Sequence, residues 1–472
     1  MRKPSCLLLV CVGLLFVGCA PSLRNAQLNS HDPGVGYRFR NLAAPDNSDE
    51  LFVILTFSGG GTRAAALSYG VLAQLAKTEF SGRDGRPQRL IDEVDVISSI
   101  SGGSFTAAYY ALFGERLFTD FEARFLKVNI ESKLAGQLFS PANWVRLASP
   151  TYDRIDLAAD YYDEHIFDRK TFGDLLQRGR RPYVLINATD MSLGGLFDFT
   201  QDRFDLLCSD LSSVPLARAV AASSAFPVLL SPITLKNYAG ACGYREPEWV
   251  GLALEDRDIA GRRFSRAVET RSYLDAANRP YIHLIDGGIA DNLGLRGPLD
   301  AISSVNNPWS VLRMINLEKV RRVVVIAVNA KTDPDTAWDR EEAAPGVKDV
   351  LSTVVDAPMA NYSFETIELM QERFKQWTKD YQSRADCQQI LQASCPQAAL
   401  PGGPLAKVEF YPIVIGFDSL PDPAEARFFK NLGTTFNLPA ETIDRLREVA
   451  GRLLAHSPQF QRLLTDLRTA PH

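Results

Sequence analysis

The feature that most constrains the fold is one stretch of the chain, residues 94–110, which reads VDVISSISGGSFTAAYY. Its short apolar run over 94–97 predicts a buried strand, and residues 106–112 predict a helix. Between them lies Ser101, followed by Gly102, in the layout of a tight strand-to-helix turn that lifts a serine oxygen clear of a sheet. The free backbone N–H groups at the start of such a helix favour negative charge. The stretch therefore predicts an α/β arrangement with Ser101 as a candidate nucleophile.

A second glycine-rich turn follows the apolar strand predicted over residues 51–57 and precedes an alanine-rich helix. It reads Ser-Gly-Gly-Gly-Thr-Arg and contains Gly59, Gly60, Gly61 and Arg63. One interpretation is a phosphate-binding loop, but the turn has neither the dinucleotide-binding spacing nor the lysine of a P-loop. The other interpretation is an oxyanion hole, because the same backbone donors can face the negative oxygen that forms when a serine attacks an ester.

A third turn follows the apolar strand predicted over residues 282–285, in the stretch YIHLIDGGIADN. It presents Asp286 before two glycines. An Asp-Gly pair often does no more than cap a turn, but a carboxylate beside a serine can also act as its base. In a mostly parallel sheet, ligands bind beyond the carboxyl ends of the strands. Because all three turns follow strands, we expect them to share one site.

In this order the three turns resemble those of the patatin-like phospholipases, and the glycine loop is also similar to that of the cytosolic phospholipase A group. The resemblance covers about residues 51–292. It implies a Ser-Asp dyad, with Ser101 as the nucleophile and Asp286 as the base. It also implies an oxyanion hole formed by the N–H groups of Gly59, Gly60, Gly61 and Gly102. The chain departs from the family pattern at two positions, Ser99 and Ala64, where glycine is usual.

The resemblance implies a serine hydrolase that cleaves phospholipids or other lipid acyl esters, and the N-terminal segment described below predicts that it is membrane-tethered. The sequence has no metal-ligand spacing of Cys and His, so no metal or cofactor is expected. Arg63 matches the basic residue of the loop, and it either binds a lipid phosphate or braces the glycine loop. There are two alternatives. One is a catalytically silent lipid-binding or envelope-scaffold protein, and the other is a Ser-His-Asp esterase for soluble substrates. A dyad is favoured because His283, three residues before Asp286 on a strand, points away from the turn.

Apolar strand candidates alternate with helical patterns along the chain. The strands are predicted at 51–57, 94–97, 183–186, 282–285, 323–328 and 408–415, and the helices at 64–75, 106–113, 118–126 and 216–223. This alternation predicts a three-layer α/β/α fold with a mostly parallel central sheet. We expect a catalytic core over residues 51–330 and a C-terminal extension, residues 331–472, packed on the same domain. The aromatic-rich segment 113–180 is interpreted as helices packed on the sheet or, alternatively, as a lid that faces lipid.

The N-terminus predicts export from the cytoplasm. Two basic residues precede an apolar run that is shorter than the ~20 residues that span a bilayer, so residues 1–18 predict a signal peptide. Cys19 follows a small residue, as at the lipidation site of bacterial lipoproteins, although an ordinary secretory signal would leave Cys19 incidental. Lipidation would place the chain in the cell envelope, at the outer membrane if the host is Gram-negative. Residues 19–50 are polar and turn-rich and predict a tether.

Charge and cysteines narrow the possible partners and the compartment. A formal net charge of −5 argues against nucleic-acid binding, which needs a basic face, and against electrostatic attraction to anionic lipid. Acyl chains on Cys19 would therefore have to hold the protein at a membrane. Four cysteines follow Cys19, and an even number in an exported chain suggests disulfides, with pairs 208–242 and 387–395 as the most local choice. Free thiols are the alternative.

Overall fold

The structure is a computed structural model that describes residues 25–469, apart from positions 46, 83–84, 228–229, 304–318, 334–336, 341, 396 and 398–406. The predicted signal peptide, residues 1–18, and the predicted lipidation site, Cys19, lie outside the described residues. Within the described ranges, no helix is both long enough and apolar enough to cross a membrane.

Eight strands of the described chain form one central sheet. They are β1 (Leu51–Phe57), β2 (Val94–Ile100), β3 (Tyr183–Asp190), β4 (Leu196–Asp198), β5 (Ile233–Lys236), β6 (Tyr281–Ile285), β7 (Arg322–Asn329) and β8 (Glu409–Gly416). Their spatial order is β8-β7-β1-β2-β3-β6-β5, and β4 pairs with β3. The five strands from β8 to β3 are parallel to one another, whereas β4, β5 and β6 are antiparallel to their neighbours.

Helices cover both faces of this sheet. Those used below are α1 (Gly61–Lys77), α2 (Gly102–Phe113), α3 (Leu216–Ser223), α4 (Val347–Ser394) and α5 (Ala440–His456). The other helices of six or more residues are Ile130–Leu138, Pro141–Leu147, Arg154–His165, Phe172–Arg178, Gln201–Leu206, Glu248–Asp256, Arg262–Tyr273, Arg296–Ser303, Pro423–Lys430 and Pro458–Thr469.

The central strand β1 shows how the two faces are filled. All seven of its residues are buried, and alternate side chains point to opposite faces. Leu55 packs in the core that contains α1, α2 and α5, whereas Ile54 packs in a second core with Met370 and Phe374 of α4. A strand that is covered on both faces needs a continuous apolar run, which is why the sequence predicted β1 at its observed bounds. The predicted three-layer, mostly parallel α/β fold is confirmed.

Strand β6 differs from the expected arrangement, because it is antiparallel to its neighbour β3 rather than part of the parallel set. Only its last two residues pair with β3, Leu284 opposite Asp190 and Ile285 opposite Thr189. The strand therefore enters from beyond the carboxyl end of β3 and stops there. This register carries the residue after β6, Asp286, to the same edge of the sheet as the turn that follows β2.

The aromatic-rich segment 113–180 contains both buried side chains, as expected for helices packed on the sheet, and exposed ones, as expected for a lid that faces lipid. Phe121, Phe125 and Tyr162 are completely buried, which fits helices packed on the sheet. Phe139, which follows the helix Ile130–Leu138, and Trp144, within the helix Pro141–Leu147, are more than half exposed. Most of the aromatic side chains of this segment therefore belong to the core. A smaller exposed apolar patch, formed by Phe139 and Trp144, remains.

The described part of the predicted tether lies against the domain instead of extending freely. The strand Ala26–Gln27 pairs with Ser209–Asp210, and Tyr37 is buried in the main core. Arg38 is also buried, and its guanidinium forms ion pairs with Asp202 and Asp205. These partners are distant in sequence, so the polar composition of the segment gave no sign that it would dock.

One of the two predicted disulfides is present. Cys208 and Cys242 are bonded, whereas Cys387 and Cys395 are free and exposed, so the predicted pair 387–395 is wrong. Cys387 lies within α4 and Cys395 follows its last residue. Eight residues of helix separate two Cα atoms by about 12 Å, well beyond the ~7 Å limit for a disulfide.

Candidate active site

Ser101 lies in a strained turn between β2 and α2. Its backbone has φ 48° and ψ −121°, a conformation that non-glycine residues adopt rarely and that costs on the order of 1–3 kcal/mol. Only glycine fits immediately after it, because a Cβ on Gly102 would lie 2.0 Å from the carbonyl oxygen of Gly61. Gly103 is equally confined, since a Cβ there would lie 2.7 Å from the Cβ of Phe57. The local sequence is therefore the one that this tight turn requires.

Asp286 lies directly against Ser101. Its side chain is buried, accepts the N–H of Gly288 at 2.8 Å, and interacts with the side chain of Ser101. Burial raises the pKa of Asp286 to about 6, while the hydrogen bonds from Gly288 and Ser101 lower it and the charge of Asp356 raises it. A carboxylate with a pKa near neutrality, in contact with a serine hydroxyl, can take up the proton of that hydroxyl.

The glycine loop packs against the serine turn. Gly60 and Gly61 have φ values of 132° and 57°, which suit glycine, and α1 begins at Gly61 just as α2 begins at Gly102. A Cβ on Gly102 would lie 2.7 Å from the nitrogen of Gly61, so the two helix N-termini are adjacent. The N–H groups of Gly60, Gly61 and Gly102 donate to no acceptor in the described part of the chain. Three donors are thus free to bind an anionic oxygen near Ser101.

Gly59 differs from this expectation. Its N–H donates to the carbonyl oxygen of Asn292 at 3.0 Å, so it is not available to an oxyanion. A Cβ on Gly59 would lie 2.5 Å from Asn292 Oδ1 and 3.3 Å from Ser101 Cβ. Gly59 therefore lets the loop approach the serine closely, and the predicted donor set of four becomes three.

The family of the chain follows from its sequence as a whole. A model of the patatin-like phospholipase family matches residues 55–299, more than half of the chain, and this range includes all three turns. The chain belongs to the patatin-like phospholipase family. The resemblance predicted from the three turns is confirmed, and the family assignment supports a lipid acyl hydrolase.

Solved structures related to this patatin-like chain are distant. Human GIVD cytosolic phospholipase A2 is 14% identical, with a TM-score of 0.43 over 96% of this chain and 69% of that chain. Its complex with methyl gamma-linolenyl fluorophosphonate gives 14% identity and a TM-score of 0.39 over 89% and 59%. VipD from Legionella pneumophila gives 12% identity and a TM-score of 0.25 over 86% and 67%. No curated protein sequence matches the chain.

Arg63 of this patatin-like chain is engaged by the protein itself. Its guanidinium donates to the carbonyl oxygens of Ala330 at 2.9 Å and Gly433 at 2.9 Å, and to that of Leu432. Burial lowers the pKa of Arg63 to about 10, and the charge of Asp356 raises it. These contacts and the burial of the side chain correspond to the brace of the two roles considered for Arg63.

The described histidines lie in other surroundings. His283 is exposed on β6 and hydrogen-bonds Thr234 at 3.0 Å, on the neighbouring strand β5. His165 stacks on Tyr161, and His456 contacts the carbonyl of Arg452. In the described ranges, no hydrogen bond or ion pair joins a histidine to either member of the dyad, and no group of three or more His, Cys, Asp or Glu residues could hold a metal ion.

Two residues beside the dyad were not assigned a role from sequence. Asn292 has a buried Oδ1 atom without a hydrogen-bond donor among the described residues, next to the glycine loop. Ser223, at the end of α3, accepts the backbone N–H of Ser101 at 2.8 Å. Asn292 is the last residue of the stretch YIHLIDGGIADN, and Ser223 is the last residue of the predicted helix 216–223. Each therefore lies in a segment that was identified from the sequence.

Proposed function

We propose that this chain is a membrane-tethered serine acyl hydrolase that cleaves the acyl ester bonds of phospholipids or related lipids with Ser101 and Asp286. The observation that carries the proposal is the convergence of the two turns: Ser223 binds the N–H of Ser101 with its side chain and the N–H of Gly287 with its carbonyl, which sets the Ser101 side chain beside the buried Asp286 carboxylate. Membership of the patatin-like phospholipase family supports the lipid substrate class.

The first half of the reaction forms an acyl-enzyme. Ser101 Oγ attacks the ester carbonyl carbon while the hydroxyl proton passes to the Asp286 carboxylate. The carbonyl oxygen becomes an oxyanion, which the N–H groups of Gly60, Gly61 and Gly102 would bind; their lack of a protein acceptor among the described residues supports this role. When the intermediate collapses, the bond to the alcohol breaks and Asp286 returns its proton to the departing alkoxide.

The second half hydrolyses this acyl-enzyme. A water molecule attacks the acyl carbon as Asp286 again accepts a proton, and the same N–H groups bind the second oxyanion. Collapse breaks the bond to Ser101 Oγ, which takes the proton back from Asp286. The products are a fatty acid and the alcohol left by the first step, so both steps balance without a metal or another cofactor.

The proposal is tested by mass analysis of the products that the purified full-length chain releases from vesicles of mixed phospholipids. Fatty acid and lysophospholipid should appear with the wild type, and Ser101→Ala and Asp286→Asn should each reduce their rate of release at least about 10³-fold. The matched controls are Ser213→Ala and Asp275→Asn, which alter exposed residues that make only local hydrogen bonds. Product release that survives in Ser101→Ala would contradict the proposal, and a folded but inactive wild type would favour the silent lipid-binding alternative.

Membrane tethering is a separate part of the proposal and depends on Cys19. Its support is the predicted signal peptide followed by a lipoprotein-type cysteine. Six residues lead from Cys19 to Asn25, which would hold the domain within about 20 Å of the bilayer. In bacterial expression with radiolabelled palmitate, the wild type should carry the label and sediment with the cell envelope. Cys19→Ser should lose both properties, and unchanged labelling of that variant would exclude Cys19 as the lipidated residue.

A further inference from the structure

We propose that Ser223 is a positioning residue for the dyad, which holds the strained Ser101 backbone with its side chain and the Asp286 turn with its carbonyl group. The inference rests on the proposed function, because it assigns Ser223 a task in the same reaction. Ser223 is fully buried at the end of α3, so it acts through Ser101 and the Asp286 turn.

The end of α3 contacts both reacting turns. Ser223 Oγ accepts the N–H of Ser101 at 2.8 Å, and the Ser223 carbonyl accepts the N–H of Gly287 at 3.1 Å. Two residues later, the carbonyl of Ala225 accepts the N–H of Asp286 at 3.0 Å. Ser223 and Ala225 therefore fix the backbone of the nucleophile and that of the base relative to each other.

The hydroxyl of Ser223 belongs to a series of hydrogen-bonded serine side chains. The last acceptor of the series is a backbone carbonyl, which can only accept, and this determines which serine donates at each step. Ser99 donates to the carbonyl oxygen of Leu185 at 3.2 Å, and Ser104 donates to Ser99 at 3.1 Å. Ser104 has then used its only proton, so at the 2.9 Å contact Ser223 must donate to Ser104. The lone pairs of Ser223 Oγ thus remain free to accept the N–H of Ser101.

The series of hydrogen-bonded serines also accounts for a departure from the family pattern. Ser99 stands where the first glycine of the serine turn is usual, and its hydroxyl is the link between Ser104 and Leu185. All three serines of the series are completely buried. Ser99 therefore gives the network a fixed direction at a position where a glycine would leave Ser104 without this acceptor.

The expected consequence is on the rate of the chemical steps rather than on substrate binding. A loosened Ser101 backbone would displace Oγ from Asp286, and a misplacement of about 1 Å can lower a rate on the order of 10²-fold. Since the hydrogen bond from Ser101 lowers the pKa of Asp286, weakening it should raise that pKa. If Ser223 had a purely structural task, replacing it would change the amount of folded protein. The pH midpoint of kcat/KM, measured on the protein that does fold, would stay the same.

The test compares Ser223→Ala with Ser224→Ala in the full-length chain. Ser224 is the matched control because it is a buried serine next along the chain whose hydroxyl donates to Val220 and Ala221 of α3. We expect Ser223→Ala to lower kcat about 10- to 100-fold with KM changed less than twofold, and to raise the pH midpoint of kcat/KM. Ser224→Ala should keep the wild-type kcat and the wild-type pH midpoint of kcat/KM. Unfolding curves of each variant check that the compared proteins are folded.

Ser223→Cys separates hydrogen bonding from packing, since its side chain fills the site but is a weak acceptor. It should be as slow as Ser223→Ala. Wild-type kcat in either Ser223 variant, or an equal loss in Ser224→Ala, would overturn the inference. Ser101→Ala in the same assay keeps the two proposals apart: if it is inactive while the Ser223 variants are normal, only the positioning role fails, and if it stays active, the proposed function fails.

Discussion

At the scale of single residues, the environment of Asp286 determines the chemistry most directly. Burial favours its protonated form and raises the pKa to about 6, although the hydrogen bonds from Gly288 and Ser101 act in the opposite direction. An ordinary exposed aspartate, with a pKa near 3.9, would be too weak a base for a serine. In the proposed reaction, desolvation would therefore make the Asp286 carboxylate a useful base, and no histidine of the described residues is bonded to it.

The raised pKa predicts the pH dependence of the reaction. Asp286 must be ionised to accept a proton, so kcat/KM should rise with pH through about 6 and level off above it. The fraction of active enzyme should fall tenfold for each pH unit below that midpoint. Initial rates between pH 4.5 and 8 on a soluble ester check this, with folded protein followed by circular dichroism. A profile that is flat down to pH 4.5 would contradict the role of Asp286.

The sequence predicted the two residues that are proposed to react but not all of their neighbours. Ser101 and Asp286 were found because each must lie on a tight turn whose glycines are written next to it. The engagement of the Gly59 N–H by Asn292, and that of the Ser101 N–H by Ser223, could not be predicted. These contacts join turns that are more than one hundred residues apart, and a single sequence carries no signal of which distant polar groups will meet.

At the scale of elements, strand direction was harder to predict than strand position. The apolar runs of β1, β2 and β7 gave their locations because both faces of these strands are buried. Nothing in an apolar run encodes direction, and β6 is antiparallel. Its alternation of exposed and buried residues, with Tyr281 and His283 exposed, was the available sign that it is not a central parallel strand.

The disulfide gives a prediction at this scale. Cys208 and Cys242 are 34 residues apart, and their carbonyls accept the N–H groups of Leu28 and His31, so the bond also holds the N-terminal segment. Replacing both cysteines with alanine should lower the free energy of unfolding by about 3–4 kcal/mol, from the loop-closure entropy of the unfolded chain.

Urea unfolding of the oxidised protein measures this difference. The matched control replaces the exposed Cys387 and Cys395 with serine, which should change the free energy of unfolding by less than about 0.5 kcal/mol. Equal stability of the two double variants would show that the 208–242 bond does not stabilise the fold.

At the scale of the whole molecule, the topology brings three distant turns to one place. The parallel strands β1 and β2 deliver the glycine loop and Ser101 to the same edge of the sheet, and the antiparallel β6 reaches that edge from the other direction. The C-terminal part contributes as well, because Arg63 holds the carbonyls of Leu432 and Gly433, and the Thr435 carbonyl accepts the N–H of Thr62. The glycine loop is thus braced by residues beyond the matched family region.

The docked N-terminal segment belongs to the same scale. Its buried Tyr37 accepts the N–H of Val184 at 2.8 Å, so the segment is attached to β3 of the central sheet. The sequence indicated only a polar, turn-rich stretch, since the residues that bury Tyr37 lie far along the chain. The proposed lipid on Cys19 would therefore be joined to the domain by few residues, which would hold the domain close to the membrane.

In the proposed reaction Ser101 is the nucleophile and Asp286 its base, and no histidine takes part. The most direct measurement is the rate at which a fluorophosphonate probe labels the full-length protein, with the modified peptide identified by mass spectrometry. We expect a phosphonyl adduct on Ser101, labelling at least about 100-fold slower in Asp286→Asn, and an unchanged rate in His283→Ala. An adduct on another residue, an unchanged rate in Asp286→Asn, or loss of labelling in His283→Ala would contradict it.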